Sequence, residues 1–260
     1  MMKNKFALLV FAVLFVSSFS LSAQSLKGMS LNGATGLISI PSGRIGWERT
    51  ADFGIDLGYH AIFVDSEQAH IPKISLSIMR LLEFSFAYDT QIQDDSEDMI
   101  IGGKIQLPTT GTFVAIGGNL QLLKHRDNSS NAGQIYLAAT YPGNFFSMPS
   151  ETSVVVGKTF VEGRSDSNVD FGMGFDLMLF PKVFQNYIHW LTDFANFSYS
   201  NHAVGANAAS RGTLNTGIRI DLAANPKLAK YKFVIDAMMT DALDENRAFT
   251  LGLTAGFSIP

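Results

Sequence analysis

One pattern recurs along the chain from about residue 51 to its end. In each short stretch, large apolar residues alternate with small or polar ones; near the C-terminus, Phe249 and Leu251 alternate with Thr250 and Gly252. Successive side chains of a β-strand point to opposite faces, so each stretch predicts a strand with one apolar and one polar face. Twelve strands are predicted, at residues 51–63, 71–79, 82–91, 99–107, 112–123, 133–141, 152–161, 168–179, 188–200, 213–223, 231–240 and 248–259.

The length of these strands points to a membrane. Each has about the 9 to 11 residues that a tilted strand needs to cross the hydrocarbon layer. Backbone amides find no hydrogen-bond partner in lipid, so strands cross it only when they close into a cylinder without edges. The low share of charged residues (16%), with 21 Phe and 23 Gly, fits an apolar outer surface. We therefore predict an all-β fold, a single transmembrane antiparallel β-barrel of about 12 strands, within a range of roughly 10 to 14.

The N-terminus has the form of an export signal. Lys3 and Lys5 precede an uncharged run from Phe6 to Val16, and small residues follow up to Ala23. The apolar run is shorter than the roughly 20 residues of a membrane-spanning helix, which indicates a secretory signal peptide cleaved after Ala23. The full sequence has 19 basic and 23 acidic side chains, and two of the bases lie in this signal. The mature chain is therefore acidic, which argues against a nucleic-acid partner.

The predicted domains are the signal peptide at residues 1–23, an N-terminal segment at 24–50 and the transmembrane barrel at 51–260. The segment is rich in glycine and turn formers around the run Leu37-Ile38-Ser39-Ile40. Three placements stay open for it: a plug inside the barrel, a cover at its periplasmic mouth, or an extra hairpin. Residues 33–42 resemble the Gly-Ala-Thr-Gly-Leu stretch that opens YjbH-like barrels, a family linked with exopolysaccharide export.

Alternate turns differ in composition, which gives the predicted barrel a direction. One set is polar and mostly charge-rich, as at residues 92–98, whereas the other contains Pro108, Pro142, Pro181 and neighbouring aromatic residues. Proline suits turns and aromatic rings prefer the membrane interface. We assign the proline and aromatic set to the periplasm. An even number of strands places both termini on that side.

The polar strand faces carry many charges, and two interpretations of them stay open. They could line a water-filled lumen that selects a solute, or they could form cross-strand ion pairs that close a small pore. The turn positions predict Lys73 opposite Asp89 and Lys232 opposite Asp221. The residues assigned to the inward face are Asp52, Asp56, Glu83, Asp89, Asp170, Asp176, Asp221, Asp236, Lys73, Lys104, Lys158, Arg219 and Lys232.

The predicted function is that of a small porin-like channel for polar solutes, or of a mainly structural envelope protein, in the outer membrane of a diderm bacterium. The expected partners are the lipid bilayer, the outer-membrane insertion machinery and small polar solutes. One alternative is a transporter of hydrophobic molecules with an N-terminal plug, which the inward acids oppose. Another is a secreted soluble β-barrel or sandwich. The candidate solute contacts are Lys104, Asp170, Asp176, Arg219, Asp221, Lys232, Lys73 and Asp89.

No pattern in the sequence indicates an enzyme. A lipid hydrolase within a barrel would need a nucleophile and a base in hydrogen-bond reach, with a third group that orients the base. Ser200 and His202 share a strand face, but sequence proximity does not supply that arrangement. The chain has no cysteine, so thiol nucleophiles and thiolate metal sites are excluded. We expect neither a cofactor nor a metal.

Overall fold

A computed structural model describes residues 28–47, 52–65, 67–93, 95–126, 128–163, 168–208, 212–245 and 247–259; the predicted signal peptide lies outside these ranges. Twelve antiparallel strands form one closed barrel in which each strand pairs with its neighbours in sequence. The strands are β1 (Phe53–Val64), β2 (Glu67–Ile78), β3 (Leu82–Gln91), β4 (Ser96–Leu107), β5 (Phe113–His125), β6 (Asn128–Phe145), β7 (Met148–Val161), β8 (Asp170–Met178), β9 (Ile188–Ala195), β10 (Thr213–Asp221), β11 (Tyr231–Thr240) and β12 (Ala248–Ile259).

The barrel closes between its first and last strands. Leu57 of β1 lies opposite Ala255 of β12, and the pairing continues from Phe53 with Ile259 to Phe63 with Phe249. Every strand therefore has a hydrogen-bonded partner on both sides and the sheet has no open edge, as a membrane-spanning sheet requires. The predicted all-β fold with twelve antiparallel strands is confirmed.

Helical structure in the described residues is limited to short turns. A single helical turn, α1 (Pro181–Phe184), follows β8, and a 3-10 turn (Pro226–Leu228) follows β10. Among the described residues, no helix is both long and apolar enough to span a membrane.

The outer face of the barrel is apolar. Leu57, Ile135 and Leu137 are 58%, 63% and 47% exposed, and they alternate along their strands with buried inward residues. A soluble protein rarely exposes so much contiguous apolar surface, whereas a lipid-facing barrel requires it. This polarity opposes the secreted soluble alternative, which places the Phe-rich face inside.

The turns divide between two rims as their composition predicts. β1 begins and β12 ends at one rim, which we call the proximal rim; the opposite one is the distal rim. The proline and aromatic turns all lie at the proximal rim, where Phe145, Phe146, Phe180 and Phe184 are exposed. The charge-rich turns lie at the distal rim.

The ninth strand is shorter than predicted. It ends at Ala195 rather than at residue 200, because the Asn196 side chain accepts a hydrogen bond from Phe171 N (2.7 Å) and donates one to Val169 O (2.9 Å). These bonds close the ladder with β8. The chain then turns into the barrel instead of continuing along its wall.

Two predicted cross-strand pairs and one predicted orientation are wrong. Lys73 lies opposite Ala87, because the turn between β2 and β3 is centred on Arg80, one residue earlier than expected. Asp221 lies opposite Val234, because the 3-10 turn shifts the pairing of β10 with β11. Lys158 lies opposite the outward Ile135 and therefore points out of the barrel.

Leu137→Arg tests the lipid-facing assignment. Leu137 lies between Ile116 and Val156 on the outward face, so we expect a loss of roughly 2 to 4 kcal/mol in the free energy of unfolding in lipid vesicles. Phe146→Arg, in a turn at the proximal rim, is the matched control and should cost about 0 to 1 kcal/mol. Equal losses in urea titrations of the two variants would contradict the assignment.

Candidate functional site in the barrel lumen

The barrel is not empty. Residues 28–47, which we call the luminal segment, lie inside it, and every one of them is buried. Two isolated bridges, Met29 with Thr35 and Gly36 with Pro41, fold the segment into consecutive tight turns. A Cβ atom at Gly36 would lie 2.3 Å from Ile40 O, so this turn requires glycine. Residues 28–47 of the predicted N-terminal segment therefore lie within the lumen, and their role as a plug stays a prediction.

The apolar side chains of the luminal segment pack against inward apolar residues of the wall. One cluster joins Leu37, Ile38 and Ile40 to wall residues of the four strands β6, β7, β9 and β11 and to Phe197. A second joins Leu31 to residues nearer the distal rim, among them Ile62 and Ile71. The lumen is therefore packed like a protein core at these points, although its wall is otherwise polar.

Asp193 binds the centre of the luminal segment. Its carboxylate accepts hydrogen bonds from Ile38 N (2.8 Å), Ser39 N (2.7 Å) and Ile40 N (3.4 Å), and from Ser39 Oγ (3.0 Å). Asn215 on β10 donates to the same carboxylate (2.7 Å). Consecutive backbone amides that converge on one anion form a nest, and here the anion belongs to the wall.

Glu83 and Lys104 form a second contact between wall and segment. They lie opposite each other on β3 and β4 and form an ion pair (3.2 Å). Glu83 accepts hydrogen bonds from Thr35 N (2.8 Å) and Gly46 N (2.9 Å), while Lys104 donates to Thr35 O (2.9 Å) and Ser42 O (3.2 Å). One pair thus satisfies two amides and two carbonyls of the segment.

Three further bases of the wall donate to carbonyl oxygens of the luminal segment. Arg219 binds Gly36 O (3.1 Å) and Leu37 O (3.4 Å) and is also paired with Asp236 (2.7 Å). Lys73 donates to Ser30 O (2.8 Å). Lys232 donates to Gly46 O (3.4 Å) and to Asp56 (2.7 Å).

The luminal segment contributes one buried charge of its own. Arg44 Nε lies 2.9 Å from Glu151 Oε2 and Arg44 Nη2 lies 2.5 Å from Glu151 Oε1, so the guanidinium binds both carboxylate oxygens. The same guanidinium lies 3.5 Å from the centre of the Phe113 ring. Beside it, Gly43 N donates to Thr140 Oγ1 (2.9 Å).

A second element, the inward loop (residues 196–208), enters from the distal rim. Tyr199 donates to Asp89 Oδ2 (2.7 Å), Ser200 donates to Asp98, and the His202 ring stacks on that of His125 with 5.4 Å between centroids. Phe197 and Tyr199 of this loop belong to the two apolar clusters that also contain residues of the luminal segment. The lumen is thus occupied from both rims.

All eight predicted solute contacts are buried side chains of the inner wall. Five of them hold the elements inside the barrel: Lys73, Lys104, Arg219 and Lys232 contact the luminal segment, and Asp89 contacts the inward loop. A contact between a solute and any of these eight residues stays a prediction.

The other three residues bind within the wall or at its turns. Asp170 accepts from Gln134 (2.8 Å) and Asp176 lies 2.6 Å from His189 Nδ1. Asp221 accepts from Ala223 N (3.0 Å).

Sequence reasoning missed four charged residues of this site. Asp193 lies in the predicted strand 188–200 but was not assigned to the inward face, and Glu151 and Asp98 lie outside the predicted strands. Extending the alternation by one step from Ser153, which is fully buried, would have placed Glu151 inside. No comparable signal marks Arg44, because the luminal segment has no periodicity.

Similarity to known proteins is found among solved structures. No protein-family model matches the chain, and no curated protein matches it. Among solved structures, the chain is similar to the KdgM porin, with 8% identity and a TM-score of 0.50 over 79% of this chain and 99% of that one. A structure entitled "KdgM porin in complex with disordered oligogalacturonate" gives 8% identity and a TM-score of 0.52 over the same shares. The outer membrane protein Omp33 of Acinetobacter baumannii gives 12% identity and a TM-score of 0.47, over 81% of this chain and 100% of that one.

The two structures with TM-scores of 0.50 and 0.52 are of a porin. Together with the closed twelve-strand barrel, they identify the chain as having the fold of a porin-like outer-membrane β-barrel.

Asp193→Asn tests how the luminal segment is held. Hydrogen bonds to a charged group contribute about 1.5 to 3 kcal/mol, so we expect the amides of residues 38–40 to exchange with deuterium roughly ten- to a hundredfold faster. Asp170→Asn is the control, since Asp170 is also a buried inward acid but binds Gln134 and Thr159 of the wall. Unchanged exchange at residues 38–40 in Asp193→Asn would show that the carboxylate does not hold the segment.

Proposed function

We propose that this protein is an outer-membrane channel for small polar solutes that its own N-terminal segment closes. The observation that carries the proposal is the burial of all residues 28–47 within a wall lined by charges. Hydrogen bonds, ion pairs and two apolar clusters hold the segment, and the chain has no cysteine that could fix it covalently. Such contacts can be exchanged for water if the segment moves.

The composition of the inner wall favours a passage over a purely structural core. Small barrels are commonly filled by side chains of their own strands. Here a separate segment occupies the space. Buried charges contribute little to stability and are costly when unpaired, so an apolar wall would stabilise a permanent core more simply. The buried charges of the described strands comprise ten acids and four bases: Asp56, Glu83, Asp89, Asp98, Glu151, Asp170, Asp176, Asp193, Asp221 and Asp236, with Lys73, Lys104, Arg219 and Lys232.

A mainly structural envelope protein is the second candidate, and the occupied lumen is the observation that favours it. The transporter of hydrophobic molecules is less well supported. Residues 28–47 lie where its plug would lie, but a wall with fourteen buried charges does not suit an apolar cargo. The KdgM porin has been solved with oligogalacturonate, an acidic ligand. The excess of wall acids in the present chain disfavours polyanions of that class.

We further propose the orientation and the export route. The proximal rim faces the periplasm, since it carries the exposed aromatic turn residues, which suit a membrane interface, and the luminal segment enters there. Export through a signal peptide cleaved after Ala23 and assembly by the outer-membrane insertion machinery complete the proposal. The distal rim with its charged turns then faces the exterior.

Conductance in planar bilayers tests the function. We expect the full chain to stay closed most of the time, and the variant lacking residues 28–47 to conduct more often than the full chain, since the inward loop alone then remains in the lumen. Full-length Asp193→Asn should open more often than the parent, because one set of contacts to the luminal segment is weakened. Glu162→Gln removes an acid at the distal rim, away from the segment, and serves as the control. Folded variants that never conduct would favour the structural role.

A further inference from the structure

The wall of the barrel contains a built site for a guanidinium group. Glu151 binds the Arg44 guanidinium through both oxygens, at 2.9 and 2.5 Å, and Phe113 contacts its face at 3.5 Å. Arg44 is fully buried. A two-oxygen contact in the guanidinium plane, together with an aromatic ring against its face, is the arrangement that recognises guanidinium specifically.

The site belongs to the wall and not to its occupant. Phe113 begins β5 and Glu151 is the fourth residue of β7, and both strands start at the proximal rim. The ladders fix their spacing: Phe113 lies opposite Thr140 on β6, and Glu151 lies opposite Pro142 on the same strand. If the luminal segment moves, Arg44 leaves while Glu151 and Phe113 keep their places.

The charges around this site favour a cation. Asp176 lies directly opposite Glu151 on β8, within hydrogen-bond distance of His189 (2.6 Å). The ten buried acids of the described strands exceed the four buried bases. When the segment leaves, its positive guanidinium leaves as well, so the vacated lumen is more negative than the closed one. Such a lumen raises the local concentration of cations.

We propose that Glu151 and Phe113 form a binding site for cationic solutes with a guanidinium group, and that Arg44 occupies this site as a substitute ligand in the closed state. The inference rests on the proposed channel function and names its substrate class. A guanidinium solute that enters from the proximal rim competes with Arg44. An ammonium of equal charge competes less well, because it lacks the planar fork and stacks less favourably on the ring.

Chemical rescue tests the site without any current. In full-length Arg44→Ala, ethylguanidinium chloride should raise the thermal midpoint saturably, at a concentration roughly tenfold below that needed with ethylammonium chloride. The parent protein should show no saturable rise, since Arg44 fills the site. Arg44→Ala with Phe113→Leu should bind about three- to tenfold more weakly. Equal responses to the two probes, or rescue that persists in Arg44→Ala with Glu151→Gln, would overturn the site.

Current block tests the same site with Arg44 in place. In Asp193→Asn channels carrying KCl current, L-arginine should block at a concentration about tenfold below that of L-citrulline, which has the same length but a neutral end group. Glu151→Gln in the same background should abolish the difference. If no variant conducts, the proposed function fails whatever the rescue shows. If Asp193→Asn conducts but arginine and citrulline block equally, the guanidinium site fails and the channel stands.

Discussion

The luminal segment lies inside the barrel and has no regular secondary structure. The structure depends on how the backbone hydrogen bonds of this segment are satisfied. A helix satisfies its backbone internally and a strand through its neighbours in the sheet, but the luminal segment forms only two isolated bridges and a few turns. Its remaining amides and carbonyls need partners, since an unsatisfied buried peptide group is costly. The wall charges supply these partners. Asp193 and Glu83 accept from amides, while Lys104 and Arg219 donate to carbonyls. Wall and segment therefore satisfy each other.

This mutual dependence changes the interpretation of the inward charges. The sequence suggested either ion pairs or a solute-selecting surface, and the structure shows ion pairs with different partners. Arg219 pairs with Asp236 on the adjacent strand and Lys104 with Glu83, both in direct register. The base of each pair also donates hydrogen bonds to carbonyl oxygens of the luminal segment. The same residues thus bind the luminal segment and, in the proposed open channel, line the lumen.

The wall could be predicted from sequence because its signal is local. The alternation along residues 248–259 is enough to predict β12. The proline and aromatic residues of the turns near Pro108 and Pro142 place both turns at the same rim. The register of neighbouring strands was harder to predict. A turn centre that differs by one residue from the predicted one places Lys73 opposite Ala87 instead of Asp89. The contacts inside the lumen could not be predicted from the sequence. Ile38 and Asp193 are 155 residues apart in the sequence, and no local sequence pattern around either residue indicates that the two are in contact. The bend at Asn196 likewise depends on bonds to Val169 and Phe171 on another strand.

The sequence position of the luminal segment has a consequence for assembly. The segment precedes β1, so it is synthesised before any strand of the barrel, yet its contacts reach Lys232 on β11, 186 residues away. The space that it occupies does not exist until β12 pairs with β1. The segment is therefore made before the barrel, but its full set of contacts forms only when the last strands are in place. Until then the wall charges that bind the segment lack part of their final hydrogen-bond partners.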